Sequence, residues 1–298
     1  MMADFFSPLT LAVKQGDVDA IKDLVCQGAD VNSPDGSGST PAFVAAQCGH
    51  EVTIRALAEL GADLNTPANN GSTPAFVAAQ CGHVATIRAL AELGADLNTP
   101  ANNGATPACI AAQCGHVASI RALAECGADI NTCANKGATP ACVGASPVYM
   151  AAQEGHATAI RALAELGADL NHPLDDGTTP AFIASHNGHE SSIRALAELG
   201  ADLNAPDSNG ATPACIAVHQ GHEATISALA ELGADLNSHN NEGTTPAYYA
   251  AYNGRVKVMK ILISLRVNID VVANNGASPL MAAVRAGNAD VAMLLVNM

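Results

Sequence analysis

The stretch of residues 71–98, GSTPAFVAAQCGHVATIRALAELGADLN, decides the fold because it recurs along the chain. Its Gly-His pair at 82–83 is repeated at 49–50, 115–116, 155–156, 188–189 and 221–222, in steps of 33 residues except for one step of 40. The same register continues at Gly16 towards the start and at Gly254 and Gly287 towards the end. This period predicts a stack of nine repeats in which each repeat packs only against its neighbours.

The residue types in one repeat predict a short first helix. Thr73 can cap this helix with its side-chain oxygen, Pro74 suits the first helical position, and Gly82 ends the helix. Because the helix is rich in alanine, it can approach its neighbours closely. The whole chain is 49% hydrophobic but only 3% aromatic, with no Trp, so small side chains must fill the core.

The second half of the repeat predicts a second helix and a tight loop. Ile87, Leu90 and Leu93 follow helical spacing, and Gly94 ends the helix. An Asn-Asn-Gly sequence then supplies residues that tolerate positive φ at the tip of a hairpin-like finger. Each repeat is therefore expected to be a helix, a turn, a second helix and a finger.

The repeat closely resembles the ankyrin repeat family. The residues that carry the match are Thr73-Pro74, Ala78-Ala79, Gly82-His83, Leu90, Gly94-Ala95-Asp96 and Asn98. The resemblance implies an all-α fold, an ankyrin-repeat solenoid of nine helix-turn-helix units joined by β-hairpin-like finger loops. We expect one domain over 1–298, with repeats near 1–37, 38–70, 71–103, 104–136, 137–176, 177–209, 210–242, 243–275 and 276–298. They are numbered one to nine below.

Repeat five contains a seven-residue near-duplication that accounts for the 40-residue step. Residues 137–143, GATPACV, are followed by residues 144–150, GASPVYM, and the second copy fits the register. We expect 137–143 to bulge between the finger and the first helix, either as a tolerated insertion or as a functional loop. The polar groups Asp17, Arg285, Asn288 and Asp290 suggest that both ends of the array are capped and that no further domain flanks it.

The charge balance limits the partners. With 13 basic and 28 acidic residues the formal net charge is -15, which disfavours nucleic acid and anionic membranes. Residues 1–254 hold 8 basic and 26 acidic side chains (-18), whereas residues 255–298 hold 5 and 2 (+3). Since no apolar run is long enough to span a membrane and no signal peptide is evident, we expect no membrane insertion and a cytoplasmic location, with the nucleus left open.

Histidines and cysteines offer the only candidates for metal or redox chemistry. The Gly-His histidines are one repeat apart, farther than zinc ligands can converge, so we interpret each as a turn residue that faces its own loop. The nine cysteines mostly share registers between repeats, beyond disulfide reach, which favours free thiols. No nucleophile elbow, phosphate loop or paired zinc motif is present. We therefore expect no enzyme activity, no metal and no cofactor; a metal-dependent enzyme is the least favoured alternative.

Charged residues on the second helices predict a solvated outer face. Arg and Glu recur four residues apart at 55/59, 88/92, 121/125, 161/165 and 194/198, where they could pair within each helix. The seventh repeat carries Ser227 instead of Arg, which leaves Glu231 without that partner.

In ankyrin repeat proteins partners usually bind the concave side, which the first helices and finger tips form. The positions that would carry this surface here are Gln47, Cys48, Gln80, Cys81, Gln113, Cys114, Gln153, Glu154, His186, Asn187, His219, Gln220, Tyr248, Tyr252 and Asn253. The first three pairs are identical, whereas the later ones vary towards His and Tyr, residue types that suit protein contacts.

The sequence thus predicts a non-enzymatic interaction module or scaffold that binds another protein. Its partner is expected to carry a basic patch, held by repeats six to eight through Tyr252, His219 and His186 and flanked by Glu231. The alternative is a structural spacer subunit of a larger assembly. These polar positions also allow a simpler interpretation, in which they are merely unconstrained surface residues.

Overall fold

The computed structural model describes residues 7–131 and 144–298, and within these residues it contains eighteen α-helices and no strand. The chain divides into two compact units, Met1–Met150 with Glu165–Ala168 and Ala151–Ala164 with Asp169–Met298. The insertion 137–143 and the cysteines Cys133 and Cys142 lie outside the described residues.

Eight helices lie in the first unit, and two contain residues of both units. The first unit holds α1 (Pro8–Gln15), α2 (Val18–Cys26), α3 (Pro41–Cys48), α4 (Glu51–Glu59), α5 (Pro74–Gln80), α6 (Val84–Glu92), α7 (Pro107–Gln113) and α8 (Val117–Glu125). Residues of both units belong to α9 (Pro147–Gln153) and α10 (Ala157–Glu165).

The second unit continues the alternation of first and second helices. It holds α11 (Pro180–Asn187), α12 (Glu190–Glu198), α13 (Pro213–Gln220), α14 (Glu223–Glu231), α15 (Pro246–Tyr252), α16 (Val256–Ser264), α17 (Pro279–Arg285) and α18 (Ala289–Val296). Repeats six, seven and eight thus contribute α11 with α12, α13 with α14, and α15 with α16.

The first helices begin as the sequence predicts. In α5 the Thr73 hydroxyl accepts a hydrogen bond from the Phe76 backbone N–H at 3.2 Å, and Pro74 occupies the first turn. Ser146, in the second copy of the duplication, caps α9 by accepting from the Tyr149 N–H at 3.2 Å. The second copy therefore starts the helix, as its register predicts.

The second helices bury a narrow apolar stripe. Ile87 and Leu90 of α6 are fully buried, and the paired alanines Ala78 and Ala79 of α5 are equally inaccessible. Leu93 differs from the expectation, because α6 ends at Glu92 and the Leu93 side chain is 38% exposed as the residue that follows it. Alanine on the first helices lets neighbouring helices pack closely, and Ile and Leu fill the space behind them.

The arginines of the second helices pair with glutamates of the next repeat and not with the predicted glutamates four residues later. Arg55 and Arg194 also pair within their helices, with the glutamates four residues earlier. Arg55 Nη2 lies 2.7 Å from Glu92 Oε2, and Arg194 Nη2 lies 2.8 Å from Glu231 Oε2. The further pairs are Arg88 with Glu125, Arg121 with Glu165, and Arg161 with Glu198. An arginine side chain reaches the next repeat because stacked helices lie within about 8–10 Å of each other.

The ninth repeat exposes the predicted polar groups Arg285 and Asp290, but it also exposes apolar side chains. Its exposed side chains include Met281, Val284, Met293 and Val296, each more than half exposed. Asn288, expected among the capping groups, instead donates from Nδ2 to the Tyr252 carbonyl at 2.7 Å. No helix among residues 7–131 and 144–298 has the length and apolar character needed to cross a membrane.

Candidate protein-binding surface

Fourteen of the fifteen predicted surface residues lie in the last turn of a first helix or immediately after it, and Tyr248 lies within such a helix. None of the fifteen is buried. Six belong to the first unit and nine to the second. In the first unit the row consists of Gln47, Cys48, Gln80, Cys81, Gln113 and Cys114. Burial, followed by the neighbouring Cys48, raises the pKa of the Cys81 thiol, so this thiol stays protonated and unreactive near neutral pH.

In the second unit a hydrogen-bond network joins polar residues of three repeats. The Gln220 amide Nε2 donates to His186 Nε2 at 3.0 Å, so the His186 proton lies on Nδ1, which donates to Asn187 Oδ1 at 2.9 Å. Asn187 Nδ2 in turn donates to the Gln153 carbonyl at 2.9 Å. Since both ring nitrogens of His186 are occupied, this residue offers a partner its ring surface and no free polar atom.

His219 is the polar group at the centre of the surface. Its ring meets Tyr249 edge to face, with centroids 5.3 Å apart, and its Nδ1 is buried with no hydrogen-bond partner. Burial first, and then the charges of Arg255 and His186, lower the pKa of His219. The imidazole is therefore neutral at physiological pH.

Three tyrosines of α15 occupy the same region. Tyr248 and Tyr252, one helical turn apart, have nearly parallel rings with centroids 6.4 Å apart, and Tyr252 is 55% exposed. The Tyr249 hydroxyl accepts a hydrogen bond from Asn240 Nδ2 at 3.1 Å, while burial raises the pKa of Tyr249. The tyrosine cluster that the sequence singles out is thus half-buried, and Tyr252 is its most exposed member.

Two adjoining hollows lie between these first helices and the finger loops of the second unit. The smaller, of about 440 Å³, is lined by residues that include Phe182, Asp207 and Cys215, and the larger, of about 760 Å³, by residues that include Tyr248, Tyr252 and Asn274. They share His219, Asn241, Glu242 and Tyr249.

Sequence reasoning missed the finger residues of this surface. Asp207, Asn241, Glu242 and Asn274 all lie in fingers, and only the three-dimensional arrangement places them opposite the tyrosines. The available signal was the finger position itself, the Asn-Glu-Gly at 241–243 where residues 102–104 read Asn-Asn-Gly.

Two expectations about charged and imidazole groups are wrong. Glu231 is not unpaired, because it accepts from Arg194, and it lines neither hollow. The Gly-His histidines at positions 50, 83, 116, 189 and 222 bond to the preceding repeat and not to their own loops. His83 Nε2 donates to the Gln47 carbonyl at 3.0 Å and His222 Nε2 to the His186 carbonyl at 2.9 Å, each in the preceding repeat. They are structural, as predicted, but they join neighbouring repeats.

Metal and disulfide chemistry find little support in the described part of the chain. No group of three or more His, Cys, Asp or Glu side chains among these residues is placed to hold a metal ion. The seven described cysteines, Cys26, Cys48, Cys81, Cys109, Cys114, Cys126 and Cys215, form no disulfide.

Comparison with known proteins agrees with this architecture. A family model described as ankyrin repeats (3 copies) matches residues 9–101, 66–134, 93–173, 148–240 and 215–298. The chain belongs to the ankyrin repeat family. Ankyrin repeats are generally modules of protein–protein interaction, and their fold is typically a non-enzymatic scaffold.

A solved structure is similar over most of this ankyrin repeat protein. The crystal structure of the human ASB11 ankyrin repeat domain superposes with a TM-score of 0.67 at 26% sequence identity, covering 77% of this chain and 99% of that one. The comparison with curated proteins gives no match.

Proposed function

We propose that this ankyrin repeat protein is a non-enzymatic scaffold that binds a partner protein on the concave face of repeats six to eight. The observation that carries the proposal is the pair of hollows walled by Tyr248, Tyr249, Tyr252 and His219. Amphipathic aromatic side chains of this kind supply much of the binding energy at protein interfaces. Tyr252 is the anchor, because it is the tyrosine that stands farthest into solvent.

The partner carries a basic patch. Residues 1–254 hold 26 acidic and 8 basic side chains, so a basic protein is attracted over a distance of about 8 Å at physiological ionic strength. Asp207 and Glu242 line the hollows and carry acidic charge there, a role that the sequence analysis predicted for Glu231. A reducing cytoplasmic location suits a protein whose described cysteines form no disulfide.

The test compares two variants against a partner isolated by affinity capture from the native source and identified by mass spectrometry. Tyr252→Ala should weaken binding by about 2 kcal/mol as the loss of an anchor, whereas Cys81→Ala should change it little. Both affinities should fall as salt is raised. Equal effects of the two variants, or an affinity independent of salt, would show that the partner does not bind at repeats six to eight.

A structural spacer subunit is the second candidate, and the exposed apolar side chains of repeat nine favour it. Met281, Val284, Met293 and Val296 form part of a surface that resembles an unfilled repeat interface. In that case contacts with the assembly would spread along both faces, and Met293→Glu would disrupt assembly more than Tyr252→Ala.

A further inference from the structure

The larger hollow has a carboxylate and two parallel aromatic rings among its walls. Glu242, at the tip of the finger between α14 and α15, lines it together with Tyr248 and Tyr252. The Glu242 side chain is exposed, and its carboxylate has no hydrogen bond or ion pair among the described residues. The other acidic group nearby, Asp207, is already engaged, because its Oδ1 accepts from the Asn209 and Ala211 N–H groups at 3.0 and 2.7 Å.

The walls of both hollows are negatively charged. Asp207 and Glu242 are the acidic residues that line them, and no Lys or Arg is among the lining residues. His219 does not offset this charge, since its lowered pKa keeps it neutral at physiological pH. Arg255, the cation whose charge acts on His219, donates from Nη2 to the His219 carbonyl at 3.4 Å, at the repeat position that a turn histidine occupies elsewhere.

Tyr248 and Tyr252 form a stacked pair, with ring planes 10° apart, and Tyr252 is the more exposed ring of the two. A planar cation gains both stacking and electrostatic attraction on such an exposed ring. A lysine ammonium would gain the attraction without the stacking, and it would lose more hydration. The tyrosine hydroxyls can also accept hydrogen bonds from a donor-rich cation.

We propose that this hollow takes an arginine side chain of the partner, with its guanidinium stacked on the exposed ring of the Tyr248–Tyr252 pair and paired with the Glu242 carboxylate. The inference rests on the proposed function, because it names the chemical group that the same surface recognises. Arginine fits because the free carboxylate can accept two parallel N–H bonds while the exposed ring face covers the guanidinium plane. The rest of the partner's basic patch contributes long-range electrostatic attraction, whereas this one arginine side chain makes the short-range contacts in the hollow.

The probe is Nα-acetyl-arginine methylamide, titrated into the full-length protein with ¹³C-labelled tyrosine rings. The chain has four tyrosines, so the spectrum is simple, and Tyr149, only 4% exposed in α9, is an internal reference. The Tyr248 and Tyr252 signals should shift and saturate while Tyr149 stays constant. The citrulline derivative, equal in shape but uncharged, and the lysine derivative should each bind about tenfold more weakly.

Two variants locate the site. Glu242→Gln should weaken arginine binding about fivefold and remove most of its salt dependence, whereas Tyr252→Phe should retain binding because the ring remains. Met281→Ala, at an exposed position of repeat nine outside both hollows, is the control and should have no effect. Absence of tyrosine shifts, or equal binding of arginine, citrulline and lysine derivatives, would overturn the proposal.

Failure of this inference can be told apart from failure of the proposed function. If arginine does not bind but Tyr252→Ala still weakens the captured partner, the surface is right and the ligand group is wrong. If Tyr252→Ala leaves the captured partner unaffected, the proposed surface itself is wrong.

Discussion

The ring of His222 lies so close to Gly188 that a Cβ atom added to this glycine would come within 2.6 Å of His222 Nδ1. The two residues belong to successive repeats, and His222 Nε2 also donates to the His186 carbonyl. The glycine of this Gly-His pair therefore contacts the histidine of the next repeat's pair. Gly49 with His83 and Gly155 with His189 are related in the same way, at 2.6 and 2.7 Å.

Gly188→Ala should therefore destabilise the second unit more than Gly200→Ala. Both glycines have positive φ, +76° and +86°, so both substitutions cost about 1–2 kcal/mol of backbone strain. A Cβ at Gly200 meets nothing within 4 Å, whereas one at Gly188 meets the His222 ring, which adds about 1–3 kcal/mol. Chemical denaturation of the two variants measures the difference.

The double variant Gly188→Ala with His222→Ala is the control. Removing the ring should recover the added cost, so the two substitutions together should destabilise less than the sum of the single effects. Additive effects would show that the contact between repeats is not the cause.

The row of arginine–glutamate pairs between second helices ends at Ser227 and can be extended. Each of these arginines pairs with a glutamate of the next repeat, which is 37 residues later in the sequence when no insertion lies between them. The next two positions with this spacing are occupied by Ser227 and Ser264. Ser227→Arg with Ser264→Glu should raise the free energy of unfolding by about 0.2–1 kcal/mol through their coupling, as for other exposed pairs. Ser227→Arg alone can pair with Glu223, as Arg194 does with Glu190, so only the coupling between positions 227 and 264 reports on the pair between repeats. A double-mutant cycle in which the effects simply add would contradict the assignment.

Acidification should destabilise the second unit through His219. Because burial, Arg255 and His186 lower its pKa below the ordinary 6.5, the unfolded chain binds a proton more readily than the folded one. The contribution of His219 is complete above about pH 6.5 and is lost as pH falls through that value towards the folded pKa. Unfolding measured between pH 7.5 and 5.5 should show a smaller loss of stability for His219→Gln than for the unaltered chain; parallel losses would refute this.

Deletion of residues 137–143 should leave the protein folded. The second copy of the duplication already starts α9 at Pro147 and supplies its cap, Ser146. Cooperative unfolding and helix content by circular dichroism should match those of the unaltered chain. Loss of cooperativity would make the insertion structural, and weaker partner binding at unchanged stability would make it a functional loop.

The sequence is sufficient to predict what depends on local chemistry and period. Thr73, Pro74 and Gly82 predict their helix because capping and backbone preference act within a few residues. It could not predict that Arg194 reaches Glu231, or that His222 bonds the preceding repeat, since both depend on the distance between stacked repeats.

The candidate site is less predictable for the same reason. The tyrosines of α15 stand out because they are rare in this chain, but Glu242 becomes relevant only when the finger folds across the first helices. Likewise, nothing in the sequence shows that both ring nitrogens of His186 are already occupied.

Site-specific photo-crosslinking tests the central claim most directly. A benzophenone side chain is placed at Tyr252, on the proposed surface, or at Ser191, exposed on the second helix α12, and each protein is irradiated in extract from the native source. We expect one discrete crosslinked partner from position 252, diminished by added salt, and none from position 191. Equal crosslinking from the two positions, or crosslinking from position 191 alone, would contradict a binding surface on the first helices and fingers of repeats six to eight.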